Sequence, residues 1–510
     1  MYTAEQMASA DRRAGEAGVS VDELMAAAGK AVARELTSRF PEAKRVLVLC
    51  GNGNNGGDGY VAAAELLRDM NVTVLEVSGE PRSAPASGAR ATLLDRGGKP
   101  QPLAPEAVRS WLDKAPAGQG VVLDALLGSG LHRPLVGELA EVVKAVNDGD
   151  VPVLSVDVPT GIDADRAIPP GEHVRADVTV QLAGAKVASV FHPARRAFSG
   201  ARPDQPAGAV VVDIGIPTQV LAEVSPTLLL DARTVAAWLP PREATAHKYS
   251  VGTVAVVAGS SRYLGAAELV CRGAWRAGAG LVTLVAEERH PSAWPETVLA
   301  HLAAGEWPPE DMSRKPAGAM VIGPGLDPSA KGSPLALLHE ILDWAPGPVL
   351  LDAGALHPDV LLKALPRNQG TTVITPHHGE ARRLLTAIGN DVDIANDPLA
   401  SGRALAEATG AITVLKGPTT VIVAPDGREA VSARGHPGMA SGGTGDVLAG
   451  VLGAMLAAPG GDAFERCCVA VFAHGRAGEV AAESRATGLI ASDLVDVMPR
   501  VLVGLAAAAP

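Results

Sequence analysis

Apolar runs of four to seven residues recur along the 510-residue chain, and Ala- and Leu-rich stretches at helical spacing separate several of them. "RVLVLC" (45–50), "VTVLEV" (72–77), "VVLD" (121–124), "VPVLSVD" (151–157), 178–182 and "AVVVD" (209–213) read as strands. "GYVAAAELLRDM" (59–70) and "GELAEVVKAVND" (137–148) read as intervening helices, and 21–39 as a leading amphipathic helix. Strands covered on both faces lose the apolar–polar alternation of a half-exposed sheet, so the pattern predicts an α/β fold with a parallel sheet between helices. Breakers and prolines cluster at 215–226 and 239–250, after which strands resume at 252–258, 281–285, 319–322, 348–352, 371–374, 411–415 and 420–424. Two α/β domains are expected, a Rossmann-like doubly wound sheet over 1–216 and a second over 226–510. Ligands of such sheets bind beyond the carboxyl ends of the strands, where Asp124, Asp157, Gly259, Gly323, Asp352 and Lys416 fall.

Composition removes several classes. With 47% hydrophobic and 20% charged residues the chain has ample core. A net charge of −12 with scattered Lys and Arg argues against a nucleic-acid or anionic-membrane surface. Four cysteines without a CxxC motif form no disulfide framework and read as buried thiols of a reducing compartment. The opening segment has no apolar core of a signal peptide, and the apolar stretch 447–458 is shorter than the ~20 residues of a membrane span. A cytoplasmic location is expected.

The stretch "CGNGNNGGDGY" (50–60) contains Gly51-x-Gly53-x-x-Gly56 directly after a strand, with Glu76 closing the next strand. That is the dinucleotide fingerprint with its ribose anchor. Its glycines allow positive φ and close approach of backbone N–H groups to an anion, and the helix that follows adds a positive end. The fingerprint leaves Asn54, Asn55 and Asp58 without a purpose. Asn amide oxygens, Asp124 and Thr160 together make a hard oxygen-rich set suited to a monovalent or divalent cation. Asp157 stands where it can act as an acid/base, and "GSGLHRP" (128–134) offers a second glycine turn with Arg133 for a phosphate.

"GNGNNGGDG", "DALLGSGL" and "SVDVPTGID", in that order, resemble the N-terminal epimerase domain of the NAD(P)H-hydrate repair enzymes, as does 18–33. The resemblance implies NAD(P)H hydrate at Asn54, Asn55, Gly56, Gly57 and Asp58, at Gly128, Ser129, Gly130, Leu131, His132, Arg133 and Pro134, and at Asp157. It implies K⁺ at Asn55, Asp124 and Thr160. Ser129 stands where the family usually has Thr and keeps the hydroxyl.

"GHPGMASGGTGDVLAG" (435–450) places Gly442–Gly445 before an apolar helix at 446–457, an arrangement that presents N–H groups to a transferring phosphoryl group. Asp446 lies at its lip as a general base. Lys416 follows a strand in "LKGPTT", a connection suited to nucleotide phosphates, and His377 in "TPHHGE" is a ligand contact or a turn histidine. No P-loop or protein-kinase signature occurs. Residues 226–510 resemble the ribokinase-like dehydratase domain that partners the epimerase. The resemblance implies ADP at Lys416, Gly417, Pro418, Thr419, Thr420 and Gly445, NAD(P)H hydrate at Ala266, Gly325, His377 and Asp446, and Mg²⁺ on the nucleotide. Two residues depart from the family: Gly354 where an acidic residue is frequent and His378 where Pro is usual.

The expected function is therefore epimerisation of R- and S-NAD(P)H hydrate and ADP-dependent dehydration of the S form, with Asp157 and Asp446 catalytic. Small molecules are the expected partners, in a homo-oligomer without nucleic acid or membrane. The competing readings are an NAD-dependent oxidoreductase, a ribokinase-type vitamin or sugar kinase fused to a nucleotide-binding domain, and a non-enzymatic binding module.

Overall fold

The computed structural model describes residues 1–116, 118–199, 208–225, 227–286, 294–302, 307–314, 317–330, 332–366, 370–485 and 487–508. They form two compact units, 1–226 and 227–510. In the first, the strands are β1 (Arg45–Cys50), β2 (Asn71–Glu76), β3 (Gln101–Pro102), β4 (Gly120–Ala125), β5 (Val153–Val156), β6 (Val178–Leu182) and β7 (Gly208–Val212). They lie in the order β3-β2-β1-β4-β5-β6-β7, every pair parallel. The order reverses between β1 and β4, so the chain leaves these neighbours in opposite directions and opens a crevice beyond Cys50 and Ala125. Alternate residues of β1 serve opposite faces: Val46 and Val48 join one apolar cluster, Leu47 and Leu49 another.

The helix Asn54–Leu66 begins five residues earlier than the pattern at 59–70 suggests. The glycines explain the early start. No glycine between 51 and 59 has positive φ, contrary to expectation. They are needed for contact instead: a Cβ on Gly51 would lie 1.8 Å from the Leu126 carbonyl oxygen, and one on Gly56 1.9 Å from that of Gly51. Removing these side chains lets the first helical turn sit directly on the strand ends. The capped helix Ala4–Glu16, which buries Met7, Ala10 and Ala14 on one face, and the two-residue β3 lie outside the elements the sequence pattern suggests.

The second unit contains β8 (Thr227–Leu229), β9 (Thr253–Val257), β10 (Leu281–Ala286), β11 (Val298–His301), β12 (Ala319–Ile322), β13 (Val349–Leu351), β14 (Thr372–Ile374), β15 (Ile412–Leu415), β16 (Thr420–Val423) and β17 (Glu429–Ser432). Their order is β11-β10-β9-β12-β13-β14-β15-β16-β17-β8. The sheet is mixed rather than parallel throughout, because β15–β16 and β16–β17 are antiparallel. Residues 416–419 are too few for a crossover, which needs roughly a dozen residues, so only a hairpin can form there. Here the order reverses at β9 and β12, and the helices Leu264–Arg276 and Thr444–Ala457 pack together beside this switch. All four cysteines are buried and free. Among the described residues no helix is long and apolar enough to cross a membrane.

Candidate active sites

A cavity of about 430 Å³ opens at the β1/β4 crevice, lined among others by Asn54, Asn55, Asp58, Gly128, Asp157 and Lys186. The N-cap of the Asn54–Leu66 helix is Gly53, with no side-chain cap, so the first N–H groups stay available to a ligand. The segment after β2 clasps this end: Arg82 N–H donates to the Asn52 carbonyl at 2.7 Å, and Ser83 Oγ donates to Asn54 Oδ1 at 2.6 Å. Glu76 is engaged elsewhere, accepting from Tyr60 and from two nitrogens of Arg90, and is not among the residues that line the cavity.

Asp157 follows β5 with φ 61°, a left-handed conformation costly for a residue with a Cβ. Its Oδ1 accepts from Leu182 N–H at 3.0 Å and from Lys186 Nζ at 2.5 Å. Lys186 is 1% exposed, and its ammonium also donates to the Leu182 and Gly184 carbonyls. Asp58, buried nearby, has its carboxyl pushed well above the usual range, first by burial and then by Asp157 and Asp11. The Lys186 ammonium acts in the opposite direction, favouring the carboxylate. Lys186 is the residue that motif reading missed. Its one signal is isolation: between Lys144 and Lys248 it is the only lysine, set among small and apolar residues.

Asp124 is fully buried and accepts from Leu126 N–H, Ser155 Oγ, and both N–H and Oγ of Thr160. Thr160 Oγ1 in turn accepts from Leu127 N–H, and Asn55 Oδ1 lies against Gly128. The three expected cation ligands thus gather around residues 124–128, and Asn55 Nδ2 is buried there without a partner. Of the 128–134 segment, only Gly128, Ser129 and Gly130 line the cavity. Leu131, His132, Arg133 and Pro134 run away from it, His132 toward Asp163 at 3.3 Å and Pro134 against Gly171.

In the second unit the ends of β9, β12, β13, β14 and β15 converge. Gly325 has φ 70°, and a Cβ there would meet Ala266 Cβ at 2.7 Å, so these two residues adjoin. Asp352, after β13, is buried and accepts from Lys416 Nζ at 2.6 Å. Lys416 N–H donates to the Pro376 carbonyl, which sets Lys416 beside His377. His377 caps the helix His378–Ala387: its Nδ1 accepts from Gly379 N–H, while Glu380 accepts from His377 N–H. The turn role and the place beside Lys416 coexist. Gly417, Pro418 and Thr419 form the hairpin turn into Thr420, with His378 Nε2 against Gly417. The absence of an acidic residue at 354 has a local reason, since a Cβ there would lie 2.2 Å from the Leu326 carbonyl oxygen.

The helix Thr444–Ala457 starts two residues before the expected position and has Gly443 as its N-cap, with φ 91° and no side-chain cap. A Cβ on Gly445 would lie 3.6 Å from Lys416 Nζ, so the ammonium sits at the helix mouth. Ser441 Oγ is sequestered there without a partner. Asp446 occupies the first turn, and burial followed by the charge of Asp352 raises its carboxyl from 3.8 to about 7. A carboxyl poised near neutrality beside uncapped N–H groups and a lysine is equipped to accept a proton while a phosphoryl group is held.

Residues 21–188 match the family described as YjeF-related protein N-terminus, and residues 254–500 match NAD(P)H-hydrate dehydratase. The bifunctional NAD(P)H-hydrate repair enzyme Nnr of Escherichia coli is 32% identical, with 98% of this chain and 94% of that protein covered. Nnr of Coxiella burnetii is 34% identical over 99% of both. A crystal structure of the ADP/ATP-dependent NAD(P)H-hydrate dehydratase from Bacillus subtilis, co-crystallised with ATP and Mg²⁺, is 30% identical, with a TM-score of 0.46. It covers 55% of this chain and 98% of that one. With relatives matched over nearly its full length, this chain belongs to the family of bifunctional NAD(P)H-hydrate repair enzymes.

Proposed function

We propose that the unit 1–226 epimerises NAD(P)H hydrate and that the unit 227–510 dehydrates the S form with ADP as phosphoryl donor. The dehydratase assignment is carried by one juxtaposition: Asp446 and Lys416 meet at the uncapped N-terminus of the Thr444–Ala457 helix. Hydroxide is a poor leaving group and phosphate a good one. Asp446 takes the proton of the hydrate hydroxyl, whose oxygen attacks the β-phosphorus of ADP as the bond to the AMP oxygen breaks. The N–H groups at 442–445 and Lys416 stabilise the charge on the transferring group. Phosphate then leaves with the electrons of the C–O bond, helped by the ring nitrogen lone pair, and the adjacent ring carbon loses a proton to solvent or phosphate, so that its C–H electrons form the double bond of NAD(P)H. Lys416, Gly417, Pro418, Thr419, Thr420 and Gly445 hold the nucleotide. Ala266, Gly325 and His377 flank the hydrate.

Among the described residues no three His, Cys, Asp or Glu side chains gather as a metal site, which suits a Mg²⁺ carried by nucleotide phosphates rather than a protein cage. Such an ion neutralises phosphate charge. In the first unit the hard oxygens of Asn55, Asp124 and Thr160, gathered around residues 124–128, suit K⁺. A K⁺ held by these oxygens would offset the charge of the Asp124 carboxylate beside residues 124–130. Asp157 and Lys186 exchange the proton that epimerisation requires, while Asn54, Gly56, Gly57, Asp58 and 128–130 hold the substrate.

The test is incubation of the full chain with mixed R and S hydrates plus ADP, or ATP, with both epimers followed chromatographically. Both are expected to disappear as NAD(P)H, AMP and phosphate accumulate. A stable phosphorylated product would favour a small-molecule kinase instead. Because Asp446 acts as a base with its carboxyl raised to about 7, dehydratase kcat is expected to rise through pH 7 and level off above it. Asp352→Asn removes a charge that raises this value and frees Lys416, which lowers it, so the ascending limb should move to lower pH.

A further inference from the structure

The helix Ala463–Arg485 lies behind the phosphoryl site and carries His474, which the proposed mechanism leaves unused. His474 is 8% exposed, and its Nε2 lies 2.9 Å from the carbonyl oxygen of Thr444. A carbonyl only accepts, so Nε2 bears the proton and the imidazole is the donor. The Thr444 carbonyl and the Gly445 N–H belong to the same planar peptide unit and point in opposite directions. Fixing that oxygen therefore fixes the direction of the Gly445 N–H, the group adjoining Lys416 at the helix mouth. The Thr444 hydroxyl donates to the Met439 and Ser441 carbonyls, which ties down the loop before the peptide, while His474 reaches the peptide oxygen itself.

We propose that His474 is a positioning residue for dehydration, holding the Thr444–Gly445 peptide so that its N–H meets the transferring phosphoryl group. The inference rests on the reading of 442–445 as the phosphoryl site. Burial, and after it the charge of Lys416, lowers the imidazole to about 4, so it stays neutral over the working range. A fixed neutral donor positions the peptide without adding a charge that competes with Lys416.

The experiment compares His474→Phe, His474→Gln and Asp446→Asn in the full chain, with calorimetric ADP binding as a control for folding of unit 2. His474→Phe keeps the bulk and loses the donor. It should lower dehydratase kcat by ~10–100-fold, less than removal of a whole oxyanion donor, with KM values for ADP and hydrate within about twofold. His474→Gln restores an N–H donor and should return kcat to within about threefold of wild type. Wild-type kcat in His474→Phe would overturn the proposal. So would equal loss in both His474 variants, which would make the role one of packing. If Asp446→Asn keeps its rate, the phosphoryl-site reading itself is lost. If Asp446→Asn is inactive while His474→Phe is unaffected, only the role of His474 falls.

Discussion

Asp446→Asn is expected to abolish dehydration, by at least ~10³-fold, while R-to-S epimerisation proceeds at the wild-type rate and unit 2 becomes more stable. The first effect follows from removing the general base, a contribution typically worth ~10²–10⁴. The second follows from linkage. The folded carboxyl titrates near 7, against 3.8 when unfolded, so between these values the native state holds a proton that the unfolded chain has released. Stability from this group is full below pH 3.8, falls as pH rises, and is lost above about 7. The full shift corresponds to roughly 4 kcal/mol. Partial hydration of the site lowers what asparagine recovers to about 1–2 kcal/mol, or ~2–6 °C for a unit of this size. Calorimetry of the full chain should show the gain at pH 8.5 and a smaller one at pH 5.5. A variant that retains near-full dehydratase activity would remove Asp446 from the chemistry. An unchanged melting temperature at pH 8.5 would show that the carboxyl titrates normally.

In the first unit, Asp157→Ala is expected to slow R-to-S conversion by at least ~100-fold if Asp157 is a general acid/base. Lys186→Met should do the same. Each single change also leaves a buried group without its partner: an ammonium between two carbonyls, or a carboxylate with one backbone donor. Breaking one half of a buried pair commonly costs ~3–5 kcal/mol. The double variant Asp157→Asn/Lys186→Met removes both charges, so it should regain much of the lost stability and none of the activity. Recovery of turnover with stability would assign the pair to the fold. A change confined to KM would make Asp157 a binding residue. The readout is consumption of purified R-hydrate without ADP, which isolates epimerisation from dehydration.

Much of this architecture was legible in the periodicity. Strands buried on both faces announce themselves as near-continuous Val and Leu runs, and β1, β6 and β12 fall at the expected residues. Elements lacking that signal were hidden. β3 is two residues long, β11 and β17 are short and mixed in composition, and the Ala4–Glu16 helix is rich in polar residues. Helix starts were displaced in both units. Glycine-rich segments look like loops by propensity, yet 54–59 is helical because close contact leaves no room for a Cβ at Gly56, Gly57 or Gly59, and Thr444–Gly445 opens its helix directly after the left-handed Gly443.

The candidate sites divide along a similar line. Motif order alone marked Asn54–Asp58, Asp124, Asp157, Thr160, Lys416 and Gly442–Asp446, because chemistry that uses bare backbone N–H groups needs glycines at fixed spacing beside a strand end. Partners distant in sequence were decided only by the fold: Lys186 on Asp157, Lys416 on Asp352, His474 behind Thr444. A lone lysine or histidine has no local pattern, since its role depends on what lies across the sheet or on the next helix. The charge states were decided there too. By itself the sequence determined two α/β domains and the positions of their glycine-rich ligand loops, for both are properties of short segments. Only the tertiary structure decided that the Asp58 carboxyl is pushed up, that the Asp446 carboxyl is raised to about 7 and that Glu76 pairs with Arg90, because each depends on burial and on charges that chain order does not bring together.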